Sequence, residues 1–225
     1  MKITYLGHAS LAIEVAGKNI IVDPFISGNE LAKNIDVNSL KADYILVTHA
    51  HEDHILDVES IAKRTGAKVV SNFEIVNHFG KLDIDGHPMN HGGTWKFDFG
   101  KVTYTNAIHS SSFPDGSYGG QPGGFILETA EGNIYIAGDT ALTMDMKTIP
   151  MQTKLDLAIL PVGDNFTMGI ESAVIASDFV ACDNVLAYHY DTFGYIEIDH
   201  NKAKEAFKNK GKELVMLEIG GFIEL

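Results

Sequence analysis

The segment Thr48-His49-Ala50-His51-Glu52-Asp53-His54 packs three histidines and an aspartate into six residues, in a chain of 225 that has ten histidines. Imidazole nitrogens and carboxylate oxygens form the ligand set of borderline-soft divalent cations. In extended backbone a two-residue spacing sends His49 and His51 to the same side. Asp53 and His54 follow as the chain turns, aimed back toward the same volume. The first pair suits one cation and the second pair another. The competing reading is a solvated polar loop, which so many ligand types at one strand end disfavour.

Something must hold that segment in place. It follows the apolar run Tyr44-Ile45-Leu46-Val47 and precedes a helix expected over Ile55–Thr65, with Gly66 as its stop. It therefore stands at the carboxyl end of a buried strand, the edge at which α/β sheets build sites. Three more donors end expected strands: His109 after Val102–Ile108, Asp139 after Ile134–Gly138, and His189 after Val185–Tyr188.

Alternating apolar and polar residues in Lys2–Leu6, Ser10–Val15 and Ile20–Val22 predict an antiparallel meander. Strand–helix alternation follows, and the same order is then given a second time. This pattern predicts an α/β four-layer αββα sandwich over residues 1–225 as one domain. Its two pseudo-symmetric halves, each a mixed sheet, change over near Gly93–Gly100.

With these residues in hand, the chain resembles the metallo-β-lactamase-fold hydrolases, whose HxHxDH signature THAHEDH matches. GHAS at Gly7–Ser10, DPFISGN at Asp23–Asn29, GDNFTMG at Gly163–Gly169 and YHYDTFG at Tyr188–Gly194 narrow the likeness. They resemble a branch of small bacterial and archaeal metal-dependent hydrolases, with a looser likeness to the ascorbate-6-phosphate lactonases. The resemblance implies two divalent ions per chain, zinc first, with manganese or iron as alternatives. It assigns His49, His51 and His109 to one ion, Asp53, His54 and His189 to the other, and Asp139 to both.

The implied reaction is hydrolysis by water activated between the metals, with Asp53 taking its proton. A small ester or lactone leads as substrate, anionic if the lactonase likeness holds, and a small phosphodiester is second. A metal-binding scaffold or redox protein is the alternative of a different class.

Other positions stay open. Asp23 is either a turn residue or a brace behind the ligands. His8 is a substrate contact, an outer hydrogen-bonding partner or a turn residue. Asn165 and Thr167 are read as substrate contacts or caps. The run Ser110–Gly123, rich in Gly and Ser, is read as a mobile substrate loop. His78, His87, His91 and His200 read as structural or surface residues.

Seventeen basic against thirty acidic residues give a net charge of −13, which disfavours nucleic acid and anionic membranes as partners. The single Cys182 fits a reducing compartment, and no export signal is seen, so the expected location is cytoplasmic. The expected partner is a small-molecule substrate, with homo-oligomerisation open.

Overall fold

The computed structural model describes residues 1–225. Two seven-stranded sheets face each other, in the orders β14-β1-β2-β3-β4-β5-β6 and β13-β12-β11-β10-β9-β8-β7. The first sheet uses β1 (Lys2–Gly7), β2 (Ser10–Val15), β3 (Lys18–Val22), β4 (Tyr44–Leu46), β5 (Lys68–Asn72), β6 (Gly86–Met89) and β14 (Phe222–Glu224). The second uses β7 (Thr94–Phe97), β8 (Gly100–Asn106), β9 (Gly123–Thr129), β10 (Gly132–Ile136), β11 (Leu157–Pro161), β12 (Asn184–Tyr188) and β13 (Glu213–Val215).

Both sheets run three antiparallel pairings and then three parallel ones. The two halves are therefore pseudo-symmetric, with the changeover at the β6–β7 connection. β14 holds in the first sheet the place that β7 holds in the second. The C-terminal strand thus completes the N-terminal half, pairing Lys2 with Glu224.

Side-chain alternation builds the layers. In β10, Ile134 and Ile136 enter the seam between the sheets, while Tyr135 faces the outer helices. In β11, Leu157 and Ile159 turn inward and Ala158 and Leu160 outward. Helices α2 (Val58–Thr65) and α3 (Phe73–Gly80) cover the first sheet, and α4 (Ile170–Phe179) and α5 (His200–Lys208) the second. The result is the αββα sandwich. No helix is long and apolar enough to cross a membrane.

Local detail departs from the sequence pattern or goes beyond it at three places. The single helix expected over Ile55–Thr65 is two: α1 (Glu52–Ile55), then α2. Asp57 interrupts them because its carboxylate accepts from the backbone N–H of Ile26 and Ser27, at 2.6 and 2.9 Å. His87 and Pro88 lie in β6, an edge strand that tolerates proline's missing donor. The last strand of the second sheet, β13, ends at Val215, and the chain crosses back to the first sheet as β14.

Candidate metal centre

Every predicted donor arrives from the same edge of the sandwich. His8 follows β1, Asp23 follows β3, His49 and His51 follow β4, and His54 lies in α1. His109, Asp139 and His189 follow β8, β10 and β12. His8, Asp23 and His189 adopt positive φ values of 55°, 42° and 56°. Strained backbone at three non-glycine strand ends is what places these side chains, a pattern concentrated at functional sites.

The donors form two clusters that meet. His49, His51 and His109 bring one ligand atom each within 4.8 Å of one another, and so do His8, Asp53, His54 and His189. Asp139 joins them. Its Oδ2 lies 3.6 Å from His109 Nε2, 3.5 Å from His54 Nε2 and 2.9 Å from His189 Nε2.

Hydrogen bonds on the far side of each ring fix which nitrogen faces inward. His49 Nδ1 meets Thr48 Oγ1 at 3.0 Å, and His51 Nε2 meets Ser110 Oγ at 3.2 Å. His54 Nδ1 meets Asp23 Oδ2 at 2.9 Å, and His8 Nδ1 meets Thr192 Oγ1 at 2.9 Å. With the His49, His51 and His54 nitrogens among these protonated, the lone pairs of His49 Nε2, His51 Nδ1 and His54 Nε2 converge. His49 Nε2 and His51 Nδ1 then stand 2.9 Å apart, two acceptors with no proton between them. Buried Asp139 Oδ1 and His54 Nε2 have no hydrogen-bond partner, and His189 has none on Nδ1 and only the charged contact with Asp139 Oδ2 on Nε2.

Orphaned acceptors cost free energy unless a cation draws on them. The donor chemistry of this chain therefore fits divalent metal, and the electrostatics agree. Burial opposes charge on His54, yet Asp139, Asp53 and Asp23 drive its pKa well above the ordinary value. Burial likewise opposes charge on Asp53, but His54 and the His8 hydrogen bond hold its carboxyl low. The carboxylates demand positive charge at this point. Burial, reinforced by His189, instead pushes His8 down to about 4, so it is neutral at pH 7.

Asp23 is fully buried and accepts from both Thr48 N–H and Thr48 O–H, at 2.8 and 2.6 Å, besides touching His54. It is a brace and not merely a turn residue. His8 Nε2 lies 3.0 Å from Asp53 Oδ2, which puts His8 inside the second cluster. Asn165 is exposed and makes no hydrogen bond, and the Thr167 hydroxyl reaches only Met168 O at 3.4 Å. Neither enters the donor cluster.

The Ser110–Gly123 run is pinned, in contrast to the expected mobile loop. Ser111 Oγ accepts from Ala50 N–H and donates to Gly119 O, and Asn72 Nδ2 donates to Gly119 O and Gln121 O. Thr48, Ser110 and Thr192 were not singled out from the sequence for these contacts. Each is adjacent to a ligand-type residue or two to three positions from one, which is the only signal they carry. His78 stacks on Phe113, His91 bonds Pro122 O at 2.9 Å, and exposed His200 pairs with Asp191 at 2.6 Å.

Comparison with known proteins follows the same line. The family model described as a beta-lactamase superfamily domain matches residues 2–189. A UPF0173 metal-dependent hydrolase of Flavobacterium johnsoniae is 68% identical over 225 residues, covering 100% of both chains. One of Methylacidiphilum infernorum is 46% identical over 97% of each. Among solved structures, Igni18, a metallo hydrolase of Ignicoccus hospitalis, superposes with a TM-score of 0.90 at 35% identity, covering 100% of this chain and 97% of that one. With its cluster of His and Asp donors at one edge and these relatives, the chain belongs to the UPF0173 metal-dependent hydrolases of the β-lactamase superfamily.

Proposed function

We propose that this metal-dependent hydrolase works through a binuclear centre on a small ester or lactone. The observation that carries the reading is Asp139, whose Oδ2 lies between a cluster of three histidines and a cluster containing Asp53, His54 and His189. His49, His51 and His109 would hold one ion, Asp53, His54 and His189 the other, and Asp139 both. Two bound divalent ions supply Lewis-acid polarisation and an acidified water.

The chain's own residues do the rest. Asp53 is the partly exposed carboxylate of the centre, and its Oδ1 has no protein partner. It takes the proton that the attacking water gives up. His8, neutral and donating through Nε2 to Asp53 Oδ2, keeps that carboxylate oriented. Thr192 in turn holds His8 from behind. Asp23, through His54 and Thr48, fixes the ring orientations.

The test is elemental analysis of protein purified without chelator, followed by assay on matched ester, lactone and phosphodiester substrates. About two equivalents of zinc or manganese, with turnover of an ester or lactone, are expected. Less than one equivalent, unrestored by added metal, would refute the ligand assignment. Two equivalents with turnover of phosphodiester alone would refute the substrate class.

A further inference from the structure

The seven segments that form the mouth of the centre, residues 7–9, 23–29, 47–57, 107–122, 137–146, 162–169 and 189–199, contain no Lys or Arg. They do contain Glu52, Asp57, Asp115, Asp145, Asp164, Asp191, Glu197 and Asp199, apart from Asp23, Asp53 and Asp139 in the site itself. Of the cations near these segments along the chain, Lys147 and Arg64 are turned to other work, while Lys204 lines a cavity with His8, Asp191 and Thr192. Lys147 lies 4.3 Å over the Phe179 ring, and Arg64 donates to Val37 O and Leu40 O. Sites that take phosphate or carboxylate substrates place guanidinium or ammonium groups on them. Here Lys204 shares its cavity with the carboxylates of Asp191 and Glu218.

What the mouth offers instead is apolar. Phe193 and Phe25 both pack on His8, with ring centroids 5.3 and 5.6 Å away, and lie 6.3 Å from each other. Leu56, 40% exposed, adjoins Phe25 where the two close around Gly28. The arc continues two residues past Phe193 to Tyr195, whose ring meets Phe166 edge-on at 6.1 Å. Phe166 is held beside the centre by both ends of its loop. Gly163 abuts the His189 carbonyl, and Met168 N–H donates to Thr140 O, the residue after Asp139. Phe193, Phe166 and Tyr195 are 36%, 50% and 78% exposed, a large outlay of aromatic surface beside a polar centre.

We infer that the centre selects an uncharged substrate whose aryl or branched alkyl group rests on Leu56 and Phe193, backed by buried Phe25, with Phe166 and Tyr195 at the outer end of the arc, and that it rejects anionic substrates. This rests on the hydrolase reading above and narrows its substrate class. It departs from the anionic substrate that the lactonase likeness implied. The charge of two bound divalent ions would be largely met by Asp23, Asp53 and Asp139, so the acidic segments around the mouth still repel an anion approaching from solvent, and the aromatic arc gives its charge no partner.

Two arms test it. Saturation-transfer NMR on the purified protein compares benzyl alcohol with benzoate, independently of turnover. Contact with benzyl alcohol, reduced in Phe193→Ala and in Phe166→Ala, is expected, with a weaker signal from benzoate. The second arm measures kcat/KM on benzyl-substituted lactones that differ only by an added carboxylate. Preference for the neutral member by about tenfold or more is expected, with Phe193→Ala raising KM more than it lowers kcat. Equal or stronger benzoate contact, or equal or faster turnover of the carboxylate, overturns the inference and leaves the hydrolase standing. Benzyl alcohol contact with no turnover of either lactone or of simple esters overturns the ester or lactone reading instead.

Discussion

Asp23 Oδ2 stands 2.9 Å from His54 Nδ1, and this one contact decides which nitrogen of His54 faces the donor cluster. A carboxylate can only accept, so the His54 proton lies on Nδ1 and the Nε2 lone pair points toward Asp139 and Asp53.

Asp23→Asn tests that logic with little disturbance of the backbone. Asp23 has φ 42°, a conformation asparagine tolerates better than most residues. An amide NH2 at the position of Oδ2 donates to His54 Nδ1 and moves the ring proton to Nε2, where it blocks a ligand atom. Metal affinity should fall about 10–100-fold while the fold remains. Titration with a competing chelator, alongside circular dichroism, measures both. Unchanged affinity would mean that Asp23 serves only Thr48.

The two clusters should empty separately. His51 belongs to one and His189 to the other. His51→Ala and His189→Asn, the asparagine chosen because His189 has φ 56°, should each lower metal content from about two equivalents to about one. Elemental analysis of both variants is the check. Loss of all metal from either single variant would point to a single shared ion.

Acid should weaken the metal-free protein over a defined window. Burial lowers the pKa of His8 to about 4 and also lowers those of His49, His51 and His109, against an ordinary 6.5. The unfolded chain therefore binds more protons at these four sites once pH falls below about 6.5. Their contribution is complete above that value and is lost as pH falls toward about 4. His54, raised by Asp139, Asp53 and Asp23, acts in the opposite sense, since its contribution is complete below 6.5 and fades as pH rises through its folded value. The four lowered sites, with smaller contributions of the same sign from the more exposed His78 and His87, stand against His54 and Asp23, whose carboxyl pKa burial raises, and predict that the urea midpoint of chelator-treated protein drops between about pH 7 and pH 4.5. A midpoint that rises on acidification would show that His54 and Asp23 dominate.

The donor cluster was readable because most of its members follow a strand with a clear apolar pattern, as His109 follows β8, and Asp53 and His54 come close behind β4 in α1. The layer order was readable for the same reason. What escaped depended on partners distant in sequence. β14 exists because Phe222–Glu224 finds the free edge of β1 at the other end of the chain, a pairing that no local pattern encodes. β6 was hidden because His87-Pro88 lacks strand propensity and is held as an edge by β5. The roles of Thr48, Ser110 and Thr192 are equally non-local, since a hydroxyl is assigned to an imidazole only once several loops have met. The aromatic arc gathers Phe25, Phe166 and Phe193 from three such loops.

Gly163 ties the outer loop to the centre, and the tie can be broken by one methyl group. Its φ is not in the left-handed region, so alanine meets no backbone penalty there. A Cβ at that position would nevertheless collide with the His189 carbonyl oxygen and approach Ile196 Cβ to 3.0 Å. His189 cannot yield freely, because its N–H donates to His8 O at 2.8 Å. Gly163→Ala should therefore destabilise by about 1–3 kcal/mol and displace His189, lowering metal content at its cluster. Gly80→Ala is the control, since its Cβ would meet nothing within 4 Å, and it should change stability by less than about 1 kcal/mol. Thermal denaturation with elemental analysis reads both effects. If Gly163→Ala matches Gly80→Ala in stability and metal content, the packing of the loop on His189 does not hold the centre in place.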